Sequence, residues 1–198
     1  MLDITSTFEQ DHVDEVFKWH DEEYPIDLTF DNVLRWFALI EDRNINRAGQ
    51  VLLSFAMFVG DGLDVPLDQQ DAEVERISRL IFQSPYNPGG DGGGRSFDYK
   101  QDSEAIYASF MKDYGIDLMK AKGRMSYFKF RALFNNLSSD APINQIIQIR
   151  KENPSVHADN PAYVQSLMTQ KTIYELDMTE EQRDEDMEAQ MDKAFENL

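Results

Sequence analysis

FDYKQDSEAIYASFMKDYGIDL (Phe97 to Leu118), SYFKFRALFNNL (Ser126 to Leu137) and INQIIQIR (Ile143 to Arg150) are dense with aromatic and aliphatic residues at helical spacing. Ile106, Phe110 and Tyr114 fall on one stripe of a first helix. Phe130, Leu133, Phe134 and Leu137 repeat the i, i+3, i+4, i+7 pattern in a second. The spacing predicts two amphipathic helices packed face to face, a packing module with no catalytic constellation inside it.

Working outward, Gly115 is placed to end the first helix, because glycine tolerates the left-handed conformation that closes helices. Pro142 opens a helix bearing Ile143, Ile146 and Ile147, and Asn160 with Pro161 forms a cap and first-turn pair for another through Tyr163 and Leu167. Upstream, Thr29 is positioned to cap a helix whose inner side holds Val33, Trp36, Phe37 and Ile40. Val51, Leu52, Phe55 and Phe58 mark the next, ending near Gly60 and Gly62, and Val74, Ile77 and Ile81 mark a third. Val16, Phe17 and Trp19, then Tyr24 and Ile26, flank a polar turn and suggest a short hairpin.

The fold expected is mainly α: a compact helical bundle with a short N-terminal β-hairpin and an acidic C-terminal helix. Residues 1–15 read as a loosely ordered N-terminus and 16–173 as the helical domain. Within that domain SPYNPGGDGGGRS at 84–96 reads as a flexible linker, since its prolines and glycines do not sustain regular structure. Residues 174–198 read as an acidic helix or tail, with Thr179 and Gln182 in capping-box spacing. Its single apolar stripe is Met187, Met191, Phe195 and Leu198, too narrow for a core helix. These four are the candidate partner-binding residues, because methionine adapts its shape to different surfaces.

The order of these segments resembles the bacteriophage gene-product-fifteen family: FDY before IYASF, then YGIDL, an aromatic pair before KFRALFNNL, and a helix ending IQIR. EEYPIDLTFDNVLRWFALIED, Glu22 to Asp42, looks like the opening of that family. Two places depart from its pattern. Tyr127 and Phe128 stand where the family commonly has two tryptophans, which keeps aromatic bulk; His20 and Asp21 stand where an Asn-Gly or Asp-Gly turn is usual, which weakens the hairpin expectation. The resemblance implies a tail-morphogenesis protein of a long, non-contractile-tailed phage, an assembly chaperone acting around the tape-measure protein. A minor structural tail or connector component of the virion is the alternative it leaves open.

Composition bounds the remaining choices. At 198 residues and 41% hydrophobic, the chain can bury one core. It has no cysteine, which excludes disulfides, thiolate metal sites and a cysteine nucleophile. No apolar run approaches the roughly 20 residues that span a bilayer, and no basic and apolar leader opens the chain, so a host-cytoplasmic product of phage assembly is expected, with no membrane partner. The 37 acidic against 19 basic side chains, a net charge of -18, repel phosphate backbones and argue against nucleic acid. Charge alone also suggests an acidic DNA mimic, a reading that the aromatic content and the resemblance lower. A homo-oligomer stays compatible with the sequence.

Candidate chemistry is thin, and no cofactor is expected. GGDGGGRS, Gly89 to Ser96, has phosphate-loop spacing, but Arg95 replaces the lysine, Asp91 puts a negative charge among the phosphates, and Asn87 and Pro88 precede it in place of a strand. Asp42, Asn44 and Asn46 match the first ligand positions of an EF-hand loop, but Arg47 replaces its glycine and Leu53 its terminal glutamate. Asp61, Asp64 and Asp68 read as exposed charges, and His12, His20 and His157 belong to no catalytic motif. Lys129 and Arg131 sit among core aromatics and are expected to pair with nearby acids. An enzyme is not expected.

Overall fold

The computed structural model describes residues 15–83 and 96–177. These are mainly helical, with one short antiparallel hairpin. The chain divides into two compact units, one of residues 1–92 with 107–141 and one of residues 93–106 with 142–198.

In the first unit β1 (Val16–Trp19) pairs with β2 (Glu22–Pro25), Phe17 opposite Tyr24. The connecting His20 and Asp21 both take positive φ, 48° and 62°. That is the requirement of a type I′ hairpin turn, so the turn forms here without the usual Asn-Gly pair. The hairpin is held by what it packs on: Phe17 is buried and meets Phe55 edge-on at 5.2 Å, and Asp27 N–H donates to the Phe58 carbonyl.

Three helices follow, α1 (Phe30–Glu41), α2 (Arg47–Phe58) and α3 (Leu67–Phe82), each contacting the next in sequence. Their apolar stripes supply the core: Val33, Trp36, Val51, Phe55, Phe58, Val74, Ile77 and Ile81 are all buried. Each such side chain contributes roughly 1.5–3 kcal/mol relative to its exposed state. Trp36 sits at the centre, against Phe58 and Phe82, with its indole N–H donating to Ser54 Oγ at 3.0 Å. Ser54 thereby replaces the expected Leu52 as an inward residue, and Leu52 is 49% exposed. The helical phase accounts for it: Val51, Ser54, Phe55 and Phe58 form the tighter stripe.

Thr29 occupies the N-cap position of α1, yet its hydroxyl donates to Asp27 Oδ1 and does not cap the helix. A bridge to Ser126 takes over: Phe30 N–H donates to the Met125 carbonyl and Tyr127 N–H to the Leu28 carbonyl. The starts of α1 and α6 (Tyr127–Phe134) are therefore laced together. Phe130 of α6 stacks between Phe30 and Phe110, at 5.0 and 5.1 Å. The helix α4 (Ser103–Tyr114) meets α6 through this ring pair and through Tyr114 Oη, which donates to the Leu133 carbonyl. Gly115, at φ 64°, ends α4 as expected, and the short α5 (Leu118–Ala121) is capped by Asp117.

The first turn of α4 belongs to the second unit, with α7 (Pro142–Lys151), a short 3-10 helix at Pro154–His157 and α8 (Pro161–Ile173). Ile106, Ile143 and Leu167 are its buried anchors. Asn160 caps α8 by accepting from Tyr163 N–H, with Pro161 in the first turn. Arg150 ties the strands of chain together: its guanidinium donates to both oxygens of Asp102 and to the Ser96 and Tyr174 carbonyls. Among the described residues no buried side-chain nitrogen or oxygen lacks a partner.

Candidate functional site

The expected partner contacts Met187, Met191, Phe195 and Leu198, and the acidic helix carrying them, lie outside the described residues. So do His12, the N-terminus to residue 14 and all of the glycine-rich stretch except Ser96. The described candidates take structural roles. Asp42 Oδ1 accepts from the backbone and side chain of Asn44, and Asn46 caps α2 by accepting from Gly49 N–H. A pattern that reads as half a calcium loop is thus a turn followed by a helix cap. Asp61, Asp64 and Asp68 are exposed, and among the described residues no group of three or more His, Asp or Glu is placed to hold a metal ion.

What the structure does present is surface. The helix α8 (PAYVQSLMTQKTI) buries only Leu167. Tyr163, Met168 and Ile173 are exposed on it, and Val156 precedes it at 72% exposure. Lys171 is its one charged residue, and that amine donates to the Arg150 carbonyl. An exposed helix almost free of charge is unexpected on a chain of net charge -18. Depletion of charge with retention of Tyr and Met is the composition of interface cores.

At the base of α8 lies a small polar cluster. Tyr163 Oη donates to Glu152 Oε1 at 2.7 Å, His157 Nε2 reaches the same oxygen at 2.7 Å, and the His157 and Tyr163 rings meet edge-on. The Tyr163 hydroxyl, with His157 and Lys171 nearby, holds the Glu152 carboxyl below its ordinary range. The same bond pushes the Tyr163 hydroxyl up. All three groups are partly or largely open to solvent, and the cluster fixes the approach to α8.

Leu118 to Ser139 contains no acidic residue and five basic ones, Lys120, Lys122, Arg124, Lys129 and Arg131. Arg131 departs from the expectation that it pairs with an acid. Its guanidinium donates to the Ile81 and Gln83 carbonyls at the end of α3 and lies 5.5 Å from the Tyr127 and Phe128 rings. There it meets the carbonyls a helix leaves unpaired at its C-terminus. Both surfaces escaped pattern matching because neither is a motif; counting charges in a sliding window would have found them.

The Bacteriophage Gp15 protein family matches residues 10–176, most of the chain. The chain belongs to that family. Membership makes it a phage protein and points to the virion or its morphogenesis. No curated protein and no solved structure matches the chain. The matched span of this Gp15 family member includes the hairpin, α1 to α8, the uncharged face of α8 and the acid-free stretch, while the acidic residues 179–198 lie beyond it. Among the described residues no helix is long and apolar enough to cross a membrane.

Proposed function

We propose that this Gp15 family member is a non-enzymatic tail-morphogenesis factor, an assembly chaperone that holds the tape-measure protein before the tail tube polymerises around it. The observation that carries the reading is family membership over residues 10–176. Two physical features support it. A net charge of -18 keeps a complex with a sticky partner in solution. The exposed, nearly uncharged α8, with Tyr163, Met168 and Ile173, offers an apolar helical partner a place to lie without desolvating charge. The stripe Met187, Met191, Phe195 and Leu198 adds a second contact in this proposal. The site of action is the host cytoplasm during assembly.

Co-purification with helical fragments of the phage's tape-measure protein tests this. Capture by the full chain, reduced by the pair Met168→Glu and Ile173→Glu and again by deletion of 179–198, is the expected result. Absence of capture by the folded full chain overturns the chaperone reading. Mass spectrometry of purified particles addresses the structural alternative: presence at fixed stoichiometry would make the protein a minor tail or connector component of the virion.

A further inference from the structure

The turn between α5 and α6 stands apart electrostatically from the rest of the chain. Several cations elsewhere are matched to acids: Arg76 lies between Glu15 and Glu73, Arg47 pairs with Asp71, Lys112 with Asp140, and Arg150 with Asp102. Lys120, 85% exposed, makes only a loose contact with Asp117 at 3.4 Å. Lys122 and Arg124 are exposed and have no carboxylate partner among the described residues. Met119 is 63% exposed beside them. Three cations and the exposed Met119 thus fall within six consecutive positions.

The turn is also built to stay put. Gly123 takes φ 65°, a conformation that disfavours a side chain. Its N–H donates to Asp31 Oδ1 at 2.8 Å, Arg124 and Met125 N–H groups return to the Ala121 carbonyl, and the Met125 carbonyl accepts from Phe30. The nearby carboxylate of Asp31 is therefore already engaged by backbone. A preorganised cationic turn costs little to order on binding.

The chemistry that complements it is an acidic segment with spaced methionine or aromatic residues. Residues 179–198 of this chain match that description: eight Asp and Glu against Arg183 and Lys193, with Met187, Met191 and Phe195 at one-turn spacing. Bodies of charge -18 repel one another over most of their surface, and joining opposite-charge patches lets two copies meet. We infer that the Met119 to Arg124 turn is the docking site for residues 179–198 of a second copy of this chain. The contact is head-to-tail, so it generates rings or open chains of copies. The inference rests on charge placement and stands apart from the tape-measure reading. Where both hold, a partner that captures residues 179–198 competes with self-association.

Sedimentation velocity on the full chain, compared at low and high salt, is the test. The expected result is concentration-dependent association at low salt that dissolves at high salt, as screening shortens the reach of exposed charges to about a Debye length. The triple variant K120Q, K122Q, R124Q and a chain truncated after residue 178 each lose it. Three exposed ion pairs together are worth about tenfold or more in the dissociation constant. Mixing the two variants restores a one-to-one heterodimer, since one supplies the segment and the other the turn; this recovery also shows that both variants are folded. A full chain that stays monomeric at low salt overturns the proposal, whether its own segment or nucleic acid occupies the turn. Self-association unchanged in both variants overturns it equally.

Discussion

Arg150 and Asp102 form a two-pronged ion pair, Nη1 to Oδ2 at 2.7 Å and Nη2 to Oδ1 at 2.8 Å, with side chains only 10% and 5% exposed. The planar guanidinium matches both carboxylate oxygens and still has donors left for the Ser96 and Tyr174 carbonyls. A buried charge left without its partner costs ~3–5 kcal/mol. Arg150→Ala is expected to destabilise by that order in urea unfolding, and Arg150→Lys to recover only part of it because an ammonium lacks the fork. A loss below about 1 kcal/mol for the alanine variant, the range of an exposed pair, would show that the pair is solvated in solution.

Phe130 is the ring on which the first unit's aromatic stack depends. Phe30 lies 5.0 Å away at 12° and Phe110 5.1 Å away at 5°, and Phe130 is 1% exposed. Phe130→Ala leaves a cavity between two rings and should cost ~3–5 kcal/mol, against a smaller loss for Phe130→Leu. Thermal unfolding of the two variants gives the comparison. Equal losses would mean that leucine's volume restores nothing and that the ring itself, not the filled space, carries the stability.

The His20 and Asp21 turn stores conformational cost. Both residues sit in the left-handed region, at φ 48° and 62°, where an L side chain is disfavoured by roughly 1–2 kcal/mol and glycine is not. Replacing the pair by Asn-Gly is expected to stabilise the protein by about 0.5–1 kcal/mol, since glycine's extra freedom in the unfolded chain offsets part of the gain. A fall in melting temperature would show that the hairpin's packing tolerates only the present turn.

Acid should weaken the base of α8. The Glu152 carboxyl is held below its ordinary value by the Tyr163 hydroxyl first and by His157 next. A depressed folded-state value contributes stability that is fully present above the unfolded value and lost as pH falls through the folded one. Stability of the wild type relative to Glu152→Gln should therefore shrink as pH falls from the ordinary glutamate range through the lower folded-state value. A difference that does not change over that range would mean the carboxylate gains nothing from its neighbours.

Much of the helical framework was legible because helix formation is local. Val33 and Trp36, Val74 with Ile77 and Ile81, and Ile106 with Phe110 announce their inward faces by spacing alone, and all are buried. Gly115 and the Asn160–Pro161 pair mark ends through their own backbone preferences. The candidate surfaces were harder to see, since exposure of Met168 or Lys122 depends on what the remote chain covers.

Sequence by itself determined the helices, the acidic balance and the family. Only tertiary structure decided that Ser54 and not Leu52 faces Trp36, that Arg131 serves the carbonyls ending α3, and that Arg150 meets Asp102. The physical reason is range: periodicity and caps act over a few residues, whereas Arg150 and Asp102 are 48 positions apart and Arg131 and Ile81 are 50. A partner at that distance is chosen by which groups burial leaves unsatisfied, and burial belongs to the folded whole.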